Sequence, residues 1–379
     1  MSYLDYSNPT TPTGLRKILY LNWPLVFLLT AVASVGFLML YSVAGGNAAT
    51  WAEPQMYRFA VGLVLMLGLG FVPMWFWRGI SIPFYVICFL LLVAVDLFGS
   101  IGMGAQRWID LGPIRLQPSE LMKISLILLL AAYYDWLDPH RVSRPLWVLI
   151  PVVLILAPTA LVLIQPDLGT SIMLVAGGGI VMFAAGVSLW YFGAVIGMAV
   201  GLVSAVMQSR GTDWQLLKDY QFRRIDTFLD PAADPLGAGY NIIQSQIALG
   251  SGGWSGRGFM QGTQSRLNFL PEKHTDFIFT VLAEEFGFVG AASLLLLYVL
   301  IIGFCLYSAL TNRDRFASLI TIGISGTFFL YFSINMATVM GMLPAKGSPL
   351  PLVSYGGTSL MILMLGFGLV QAAHVHRPR

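Results

Sequence analysis

The sequence contains little charge. Charged residues make up 10% of its 379 residues, whereas soluble domains carry about a quarter. Apolar residues make up 57% and the mean hydropathy is +0.76, so the composition excludes a soluble globular protein. The 21 basic and 18 acidic residues nearly balance, and no run of Lys or Arg occurs. Without a basic patch, nucleic acid is excluded as a partner.

Cysteine is nearly absent as well. Cys88 and Cys305 are the only two, and each lies inside a long apolar stretch. Two isolated thiols of this kind indicate neither a disulfide framework nor a cysteine metal site. We therefore expect both to be packing residues.

Long apolar runs, by contrast, are abundant. A membrane-spanning helix needs about 20 predominantly apolar residues, and Pro, Gly and charged residues divide the chain into ten such runs. The predicted spans are residues 24–44, 58–77, 80–99, 119–136, 147–165, 170–187, 189–207, 277–309, 316–340 and 357–373. We predict one all-α polytopic membrane domain over residues 1–379, with a large loop at 208–276 between spans seven and eight.

The positions of Lys and Arg predict the orientation, because cytoplasmic loops carry an excess of both. With the N-terminus inside, nine lie in the inner tails and short loops and four in the outer short loops. Loop 208–276 is too long for this rule, so its seven cations do not count. We expect both termini in the cytoplasm and the large loop outside.

Polar residues cluster in four stretches on the predicted outer side. The first contains Arg107 and leads into Pro118, Ser119 and Glu120, a pattern typical of a helix start. Glu120 and Lys123 share one face of the fourth span. Ionisable residues in a span are costly and often functional, but they also pair with each other. A functional pair and a purely structural ion pair both stay open.

The second stretch is the short turn at residues 165–170. Its Pro-Asp-x-Gly pattern is that of an ordinary turn, with Asp167 placed to cap the next helix. A functional role for Asp167 stays open beside this structural one.

The third stretch ends the large loop and brings Glu272, Lys273, His274 and Asp276 within five residues. Thr275 or Asp276 fits a simple helix cap. The cluster of charged residues at a membrane surface favours a catalytic role instead. A carboxylate at a dry interface has a raised pKa and can act as a general base near neutral pH.

The fourth stretch, residues 347–359, contains two prolines and paired glycines around Ser354. These residues exclude a continuous helix. Irregular backbone at membrane depth occurs only where protein buries it or where it lines a cavity. We predict a cavity wall.

These four stretches, in this order among ten spans, closely resemble the SEDS family of bacterial membrane proteins (shape, elongation, division and sporulation). The most specific segments are LPEKHTDFIF at 270–279 and PLPLVSYGG at 349–357. The segments at 239–253 and 262–265 are more similar to the elongation type than to the division type. The resemblance covers nearly the whole chain and implies a multi-pass protein of the bacterial inner membrane.

The resemblance also implies an activity. SEDS proteins of this type are peptidoglycan glycosyltransferases that polymerise lipid II, working with a class B penicillin-binding protein and other elongation-complex proteins. Asp276 matches the family's catalytic residue, and Glu120 and Lys123 match its functional pair. Lys346 departs from the small or β-branched apolar residue that the resemblance implies at this position, and both phosphate binding and the absence of any role stay open for it.

In that reaction the C4 hydroxyl of an acceptor sugar attacks C1 of the donor, and undecaprenyl diphosphate leaves. Asp276 is the expected general base. The expected substrate-binding residues are Arg107, Glu120, Lys123, Asp167, Lys273, His274 and Ser354. Arg107, Lys123, Lys273, Arg223 and Arg224 are the cations available to the leaving diphosphate. A divalent Mg or Mn ion can assist, but no motif demands a cofactor.

Two other classes of function stay open. A lipid II flippase or other secondary transporter also carries charges inside a helix bundle, although it should concentrate them near the midplane. A pure scaffold needs no charged cluster. The glycines and cations of loop 208–276 further predict a mobile lid that a partner orders over residues 239–276.

Overall fold

The computed structural model describes residues 14–102, 105–110, 115–216, 238–267, 272–343 and 349–378, together with the single positions 218, 222, 226, 229, 230 and 270. Its architecture is a bundle of long helices. They are α1 (Trp23–Val43), α2 (Ala52–Gly70), α3 (Met74–Phe98), α4 (Pro118–Trp136), α5 (Pro145–Ile164), α6 (Leu168–Ala184), α7 (Leu189–Gln208), α8 (Ala238–Ser251), α9 (Thr263–Arg266), α10 (Ile278–Leu310), α11 (Arg315–Val339) and α12 (Thr358–Val375). Short 3₁₀ turns lie at Gly14–Tyr20 and Pro139–Arg141.

Each predicted span corresponds to one helix. In the described part of the chain, seven helices are long and apolar enough to cross a membrane. The other three predicted spans are α2 and α4, which carry charged residues, and α6, which has 17 residues. The prediction of an all-α polytopic membrane protein is confirmed.

A small antiparallel sheet joins α3 to α4. Its strands are β1 (Ser100–Gly102), β2 (Ala105–Asp110) and β3 (Arg115–Leu116), in the order β1-β2-β3. The register pairs Ile109 with Leu116 and Asp110 with Arg115. Because β2 lies in this sheet, Arg107 is placed at the end of the bundle where α4 begins.

Helix α4 lies at the centre of the bundle. It packs against α3, α6 and α11, and 14 of its 19 residues are buried, including Glu120 and Lys123. Both ionisable groups therefore face protein rather than lipid. Helix α7 is the opposite case, because none of its residues is buried.

The apolar core also contains both cysteines. Cys88 and Cys305 are free, fully buried thiols among apolar side chains. Their prediction as packing residues is confirmed.

The alternation of the helices brings the four polar stretches to one end of the bundle, which we call the site end. Trp51, between α1 and α2, stacks on His274, just before α10. Arg107, between α3 and α4, donates to the backbone between α5 and α6. Tyr355, between α11 and α12, donates its N–H to the His274 carbonyl. We call the other end of the bundle the opposite end.

Candidate functional site

Asp276 lies at the site end, one residue before the cap of α10. Phe277 is the N-cap residue of that helix and makes no side-chain cap bond. The Thr275 hydroxyl instead donates to the Glu272 carboxylate at 3.1 Å. The interpretation of Thr275 or Asp276 as the helix cap is therefore wrong, because the helix begins at Ile278 and its N-cap residue is Phe277.

The backbone around Asp276 is held by three tertiary hydrogen bonds to consecutive carbonyls. These are Tyr355 N to His274 O at 2.9 Å, Ser354 Oγ to Thr275 O at 2.5 Å and Asn335 Nδ2 to Asp276 O at 2.9 Å. The donors come from α11 and from the irregular segment before α12. Such a clamp fixes the position of the Asp276 side chain without using its carboxylate, which has no hydrogen bond to any of the described residues.

Ser354 acts within this clamp. Its hydroxyl donates to Thr275 and accepts from the Leu350 N–H at 2.7 Å, and the residue is buried. The hydroxyl proton is used inside the protein, while one acceptor lone pair remains. Ser354 therefore positions the segment, and its predicted contact with substrate stays a prediction.

An aromatic cluster covers the other side of the segment. The Trp51 and His274 rings stack with centroids 4.3 Å apart, and Tyr355 meets Trp51 edge-on at 4.8 Å. The Arg58 guanidinium lies 4.8 Å from the Tyr355 ring centroid, and Gln55 donates to the Ser354 carbonyl at 3.0 Å. Trp51 and Gln55 were missed by sequence reasoning, because neither lies in one of the four stretches.

Electrostatics make Asp276 unusual among the acids at this end. Burial, followed by repulsion from the Glu272 carboxylate, raises the pKa of Asp276 to about 6. Burial lowers the pKa of His274 and of Lys273. A carboxylate with a pKa near 6 is largely ionised at neutral pH and is a stronger base than an ordinary aspartate.

The Glu120–Lys123 pair is present. Lys123 Nζ lies 2.5 Å from Glu120 Oε1, and the Tyr331 hydroxyl donates to Glu120 Oε2 at 2.5 Å. Lys123 also donates to Tyr331, whose ring face is 4.3 Å from its ammonium. The predicted ion pair is confirmed as a buried, nearly neutral triad. Tyr331 was missed, because its span contributed no motif.

A small groove connects this triad to the Ser354 segment. It encloses about 50 Å³ and is lined by Glu120, Lys123 and Tyr331 on one side and by residues 349–352 and Ser354 on the other. The predicted cavity wall is confirmed. Leu352 has a φ of +65°, and Gly36 makes room for this backbone, because a Cβ there would lie 2.7 Å from the Val353 Cα.

Arg107 and Asp167 meet at the edge of the site end. Arg107 donates to the Gln165 carbonyl at 3.0 Å and lies 3.8 Å from the Asp167 carboxylate. Asp167 accepts from the Thr170 N–H at 3.0 Å, so its prediction as the cap of α6 is confirmed. The pair ties the β2 strand to the α5–α6 turn.

Part of the large loop is firmly packed. Ser245 on α8 hydrogen-bonds Thr280 on α10 and the Val339 carbonyl, each at 2.9 Å. A Cβ on Gly252 would lie 2.0 Å from the Ala283 carbonyl oxygen, and one on Gly256 would lie 2.1 Å from that of Glu285. Close backbone packing therefore requires glycine at positions 252 and 256, so mobility is not the reason for these two. The mobile lid over the loop as a whole stays a prediction.

Some predicted residues cannot be placed. Arg223, Arg224 and Lys346 lie outside the described residues. Within the described ranges, no three His, Cys, Asp or Glu side chains are grouped so that they could hold a metal ion.

Comparison with known proteins identifies the chain. Residues 19–379 match the profile of the cell cycle proteins FtsW, RodA and SpoVE. The chain belongs to this family. The resemblance inferred from the segments at 270–279 and 349–357 is therefore confirmed.

Curated SEDS relatives align along most of the chain. The peptidoglycan glycosyltransferase MrdB of Escherichia coli K12 is 44% identical over 98% of this chain and 97% of its own length. A probable peptidoglycan glycosyltransferase FtsW of Escherichia coli O6:H1 is 37% identical over 89% and 82%. Stage V sporulation protein E of Bacillus subtilis is 33% identical over 91% and 94%.

Solved SEDS structures share the fold. One is a chain of a peptidoglycan synthase complex studied for the coordination of polymerization and crosslinking, with a TM-score of 0.79, 33% identity and coverage of 93% of this chain and 97% of that one. Another is the rod shape determining protein RodA of Thermus thermophilus, with a TM-score of 0.70, 29% identity and coverage of 95% and 98%. The elongation type inferred from the sequence agrees with these neighbours.

Proposed function

We propose that this SEDS protein is a peptidoglycan glycosyltransferase that polymerises lipid II during cell elongation. The observation that carries the proposal is Asp276, a carboxylate with a pKa near 6 whose backbone is clamped while its side chain stays available. The relatives MrdB and FtsW, a peptidoglycan glycosyltransferase and a probable one, support the activity.

Asp276 acts as the general base. It takes the proton of the acceptor's C4 hydroxyl while the new bond to the donor's C1 forms and the bond from C1 to the diphosphate oxygen breaks. The diphosphate leaves with the bonding electron pair, and the proton passes from Asp276 to solvent. The clamp on carbonyls 274–276 holds the base in place, so that it need not be organised during the reaction.

The remaining predicted residues act around this base. Lys273 and His274 flank it on the same segment, and Arg107 and Asp167 stand at the edge of the site end. Glu120 and Lys123 act as a unit that shapes the groove wall. The polyprenyl tails stay in the bilayer, since each buried CH₂ contributes about 0.8 kcal/mol.

We further propose the setting. The site end faces outside and both termini lie in the cytoplasm, as the distribution of Lys and Arg indicates. The chain works with a class B penicillin-binding protein as transpeptidase and with other elongation-complex proteins. The likeness to a chain of a peptidoglycan synthase complex supports such a partnership.

The test is polymerisation by the purified protein. Fluorescent lipid II is added to the chain in lipid nanodiscs, with and without its penicillin-binding partner, and the products are separated by length. Glycan strands that disappear in an Asp276→Asn variant support the proposal. Transfer of lipid II across the bilayer without any strand formation would instead identify a transporter.

A further inference from the structure

A second cavity lies at the site end, where the end of α1 meets Met260, Arg266, Lys273 and Glu285. This cleft encloses about 580 Å³ at the site end, where the small groove encloses about 50 Å³. Ligand pockets typically measure about 300–1,000 Å³. The cleft is therefore large enough for a disaccharide diphosphate head, and the groove is not.

The lining of the cleft has two chemically distinct parts. Arg266 and Lys273 supply two cations, and the end of α1, from Ser42 to Gly45, forms the facing wall with Met260. Glu285 supplies a carboxylate. No ion pair joins Glu285 to Arg266 in the described structure, so these charges do not neutralise each other by direct contact.

Glu285 is the unusual member of this lining. The residue is 2% exposed, and its Oε1 accepts a hydrogen bond from the Ser42 hydroxyl at 2.5 Å. Its Oε2 is buried and has no hydrogen-bond partner among the described residues, although the Met260 N–H approaches the carboxylate. A buried carboxylate oxygen without a donor is costly, and a ligand that donates a hydrogen bond to it removes that cost.

The two parts together define the ligand. Two cations can pair with the negative charges of a diphosphate. A carboxylate oxygen without a donor can accept a hydrogen bond from a sugar hydroxyl or from an acetamido N–H. A prenyl diphosphate linked to an amino sugar carries the diphosphate on C1 of the sugar and the acetamido group on the adjacent C2. The Lys123 ammonium is not an equal competitor for the diphosphate, because the Glu120 carboxylate already neutralises it.

We propose that this cleft binds the donor, with the diphosphate on Arg266 and Lys273 and the first sugar on Glu285. The donor is assigned here because negative charge develops on its leaving diphosphate, and cations placed at that point stabilise the transition state. Asp276 follows Lys273 by three residues, so the base lies on the segment that borders this cleft, and we expect the acceptor hydroxyl to approach it from the groove. The assignment rests on the proposed polymerase function.

The first test measures binding rather than turnover. Radiolabelled farnesyl diphosphate and farnesyl monophosphate are titrated onto the full chain in nanodiscs, with empty nanodiscs subtracted. We expect tighter binding of the diphosphate and a loss of about tenfold to a hundredfold in its affinity in Arg266→Gln and in Lys273→Gln. Arg210→Gln is the matched control, because Arg210 is exposed and pairs with Asp226 at 2.7 Å elsewhere in the loop.

A second variant tests the sugar part. Glu285→Gln should bind farnesyl diphosphate as the unaltered chain does, but should bind its N-acetylmuramyl-linked form at least fivefold more weakly. Thermal unfolding of each variant reports whether the buried substitution is tolerated. Equal losses for both ligands would contradict the assignment of Glu285 to the sugar.

A kinetic measurement separates donor from acceptor. Loss of leaving-group stabilisation lowers kcat, whereas loss of acceptor binding raises KM alone. A fall in kcat for Arg266→Gln supports the donor assignment, and an unchanged kcat with raised KM overturns it. Unchanged farnesyl diphosphate affinity in Arg266→Gln and Lys273→Gln, or an equal loss in Arg210→Gln, overturns the site itself. If binding behaves as expected but the unaltered chain forms no glycan, the polymerase function fails while the cleft assignment stands.

Discussion

Aspartates at the two ends of the bundle show how one residue type serves two purposes. At the opposite end, Arg78 binds Asp135 at 3.2 Å and Asp314 at 3.1 Å, and Asp314 also caps α11. At the site end the backbone of Asp276 is held, but within the part of the chain that the structure describes no hydrogen bond reaches its carboxylate. A compensated carboxylate stabilises the fold, whereas a clamped but uncompensated one is available for chemistry.

The strongest test of this contrast replaces one aspartate by asparagine at each end of the bundle. Asp276→Asn should lower the polymerisation rate by about 10²–10⁴, because general-base catalysis typically contributes that much. Its unfolding temperature should change little, since no carboxylate bond is lost. Rates come from lipid II polymerisation and unfolding temperatures from calorimetry of the same samples.

Asp135→Asn is the matched control at the opposite end. It weakens the ion pair with Arg78, so it should lower the unfolding temperature and leave the rate per folded molecule near that of the unaltered chain. Near-normal synthesis by Asp276→Asn would show that the two ends do not differ in the way proposed.

The buried triad lies between these extremes. Replacing either Glu120 or Lys123 alone by Ala leaves the other charge unpaired in the bundle, a cost of about 2.5–3.5 kcal/mol on insertion scales. Each single variant should therefore lose stability and activity. The measurements are the yield of folded protein and its polymerisation rate.

The double variant Glu120→Leu with Lys123→Leu decides the role of the pair. Recovery of folding without activity assigns the pair to function. Recovery of both assigns it to structure alone, in the same class as Arg78 and Asp135.

The clamp itself gives a smaller expected effect. Ser354→Ala removes the donor to the Thr275 carbonyl, a loss of about 1 kcal/mol that should lower kcat several-fold by loosening Asp276. KM should stay nearly the same if the hydroxyl acts through this clamp alone, and a raised KM would indicate the predicted contact with substrate. Ser354→Thr retains the hydroxyl and should restore most of the rate, and a failure to do so would place the effect of Ser354→Ala elsewhere.

The smallest expected effect is a shift in pH dependence. The base must be ionised, so activity should rise with pH through about 6. Removing the Glu272 charge in Glu272→Gln lowers the pKa of Asp276, and the acidic limb should move to lower pH. The free energy of unfolding should change in the opposite direction. Because the pKa of Asp276 is raised in the folded state, its protonated form stabilises the fold, and this stabilisation is lost as pH rises through about 6. If the acidic limb of the pH–rate profile does not move in Glu272→Gln, burial alone raises the pKa of Asp276.

Several features of the site could be predicted from the sequence because they are local. Glu120 and Lys123 are three residues apart on a helix, and Asp167 precedes the helix that it caps. The prolines around Ser354 exclude a helix whatever surrounds them. Other features depend on contacts between distant segments. Tyr331 joins Glu120 from 211 positions away, and nothing near either residue signals the contact.

The large loop shows the limit most clearly. Its glycines are equally consistent with mobility and with close packing, and only the approach of Gly252 and Gly256 to α10 decides between them. Whether a partner orders residues 239–276 stays a prediction. Hydrogen exchange of that stretch with and without the partner measures it.

The sequence by itself determined the class of protein, its ten spans, its family and the acid at position 276, because hydropathy, helical spacing and short motifs are encoded locally. Only the tertiary structure decided what surrounds that acid. Burial beside Glu272, the clamp from Ser354 and Asn335, and the second cleft at Glu285 all arise from side chains that are remote in sequence. A pKa and a cavity are properties of such packing, which no local pattern specifies.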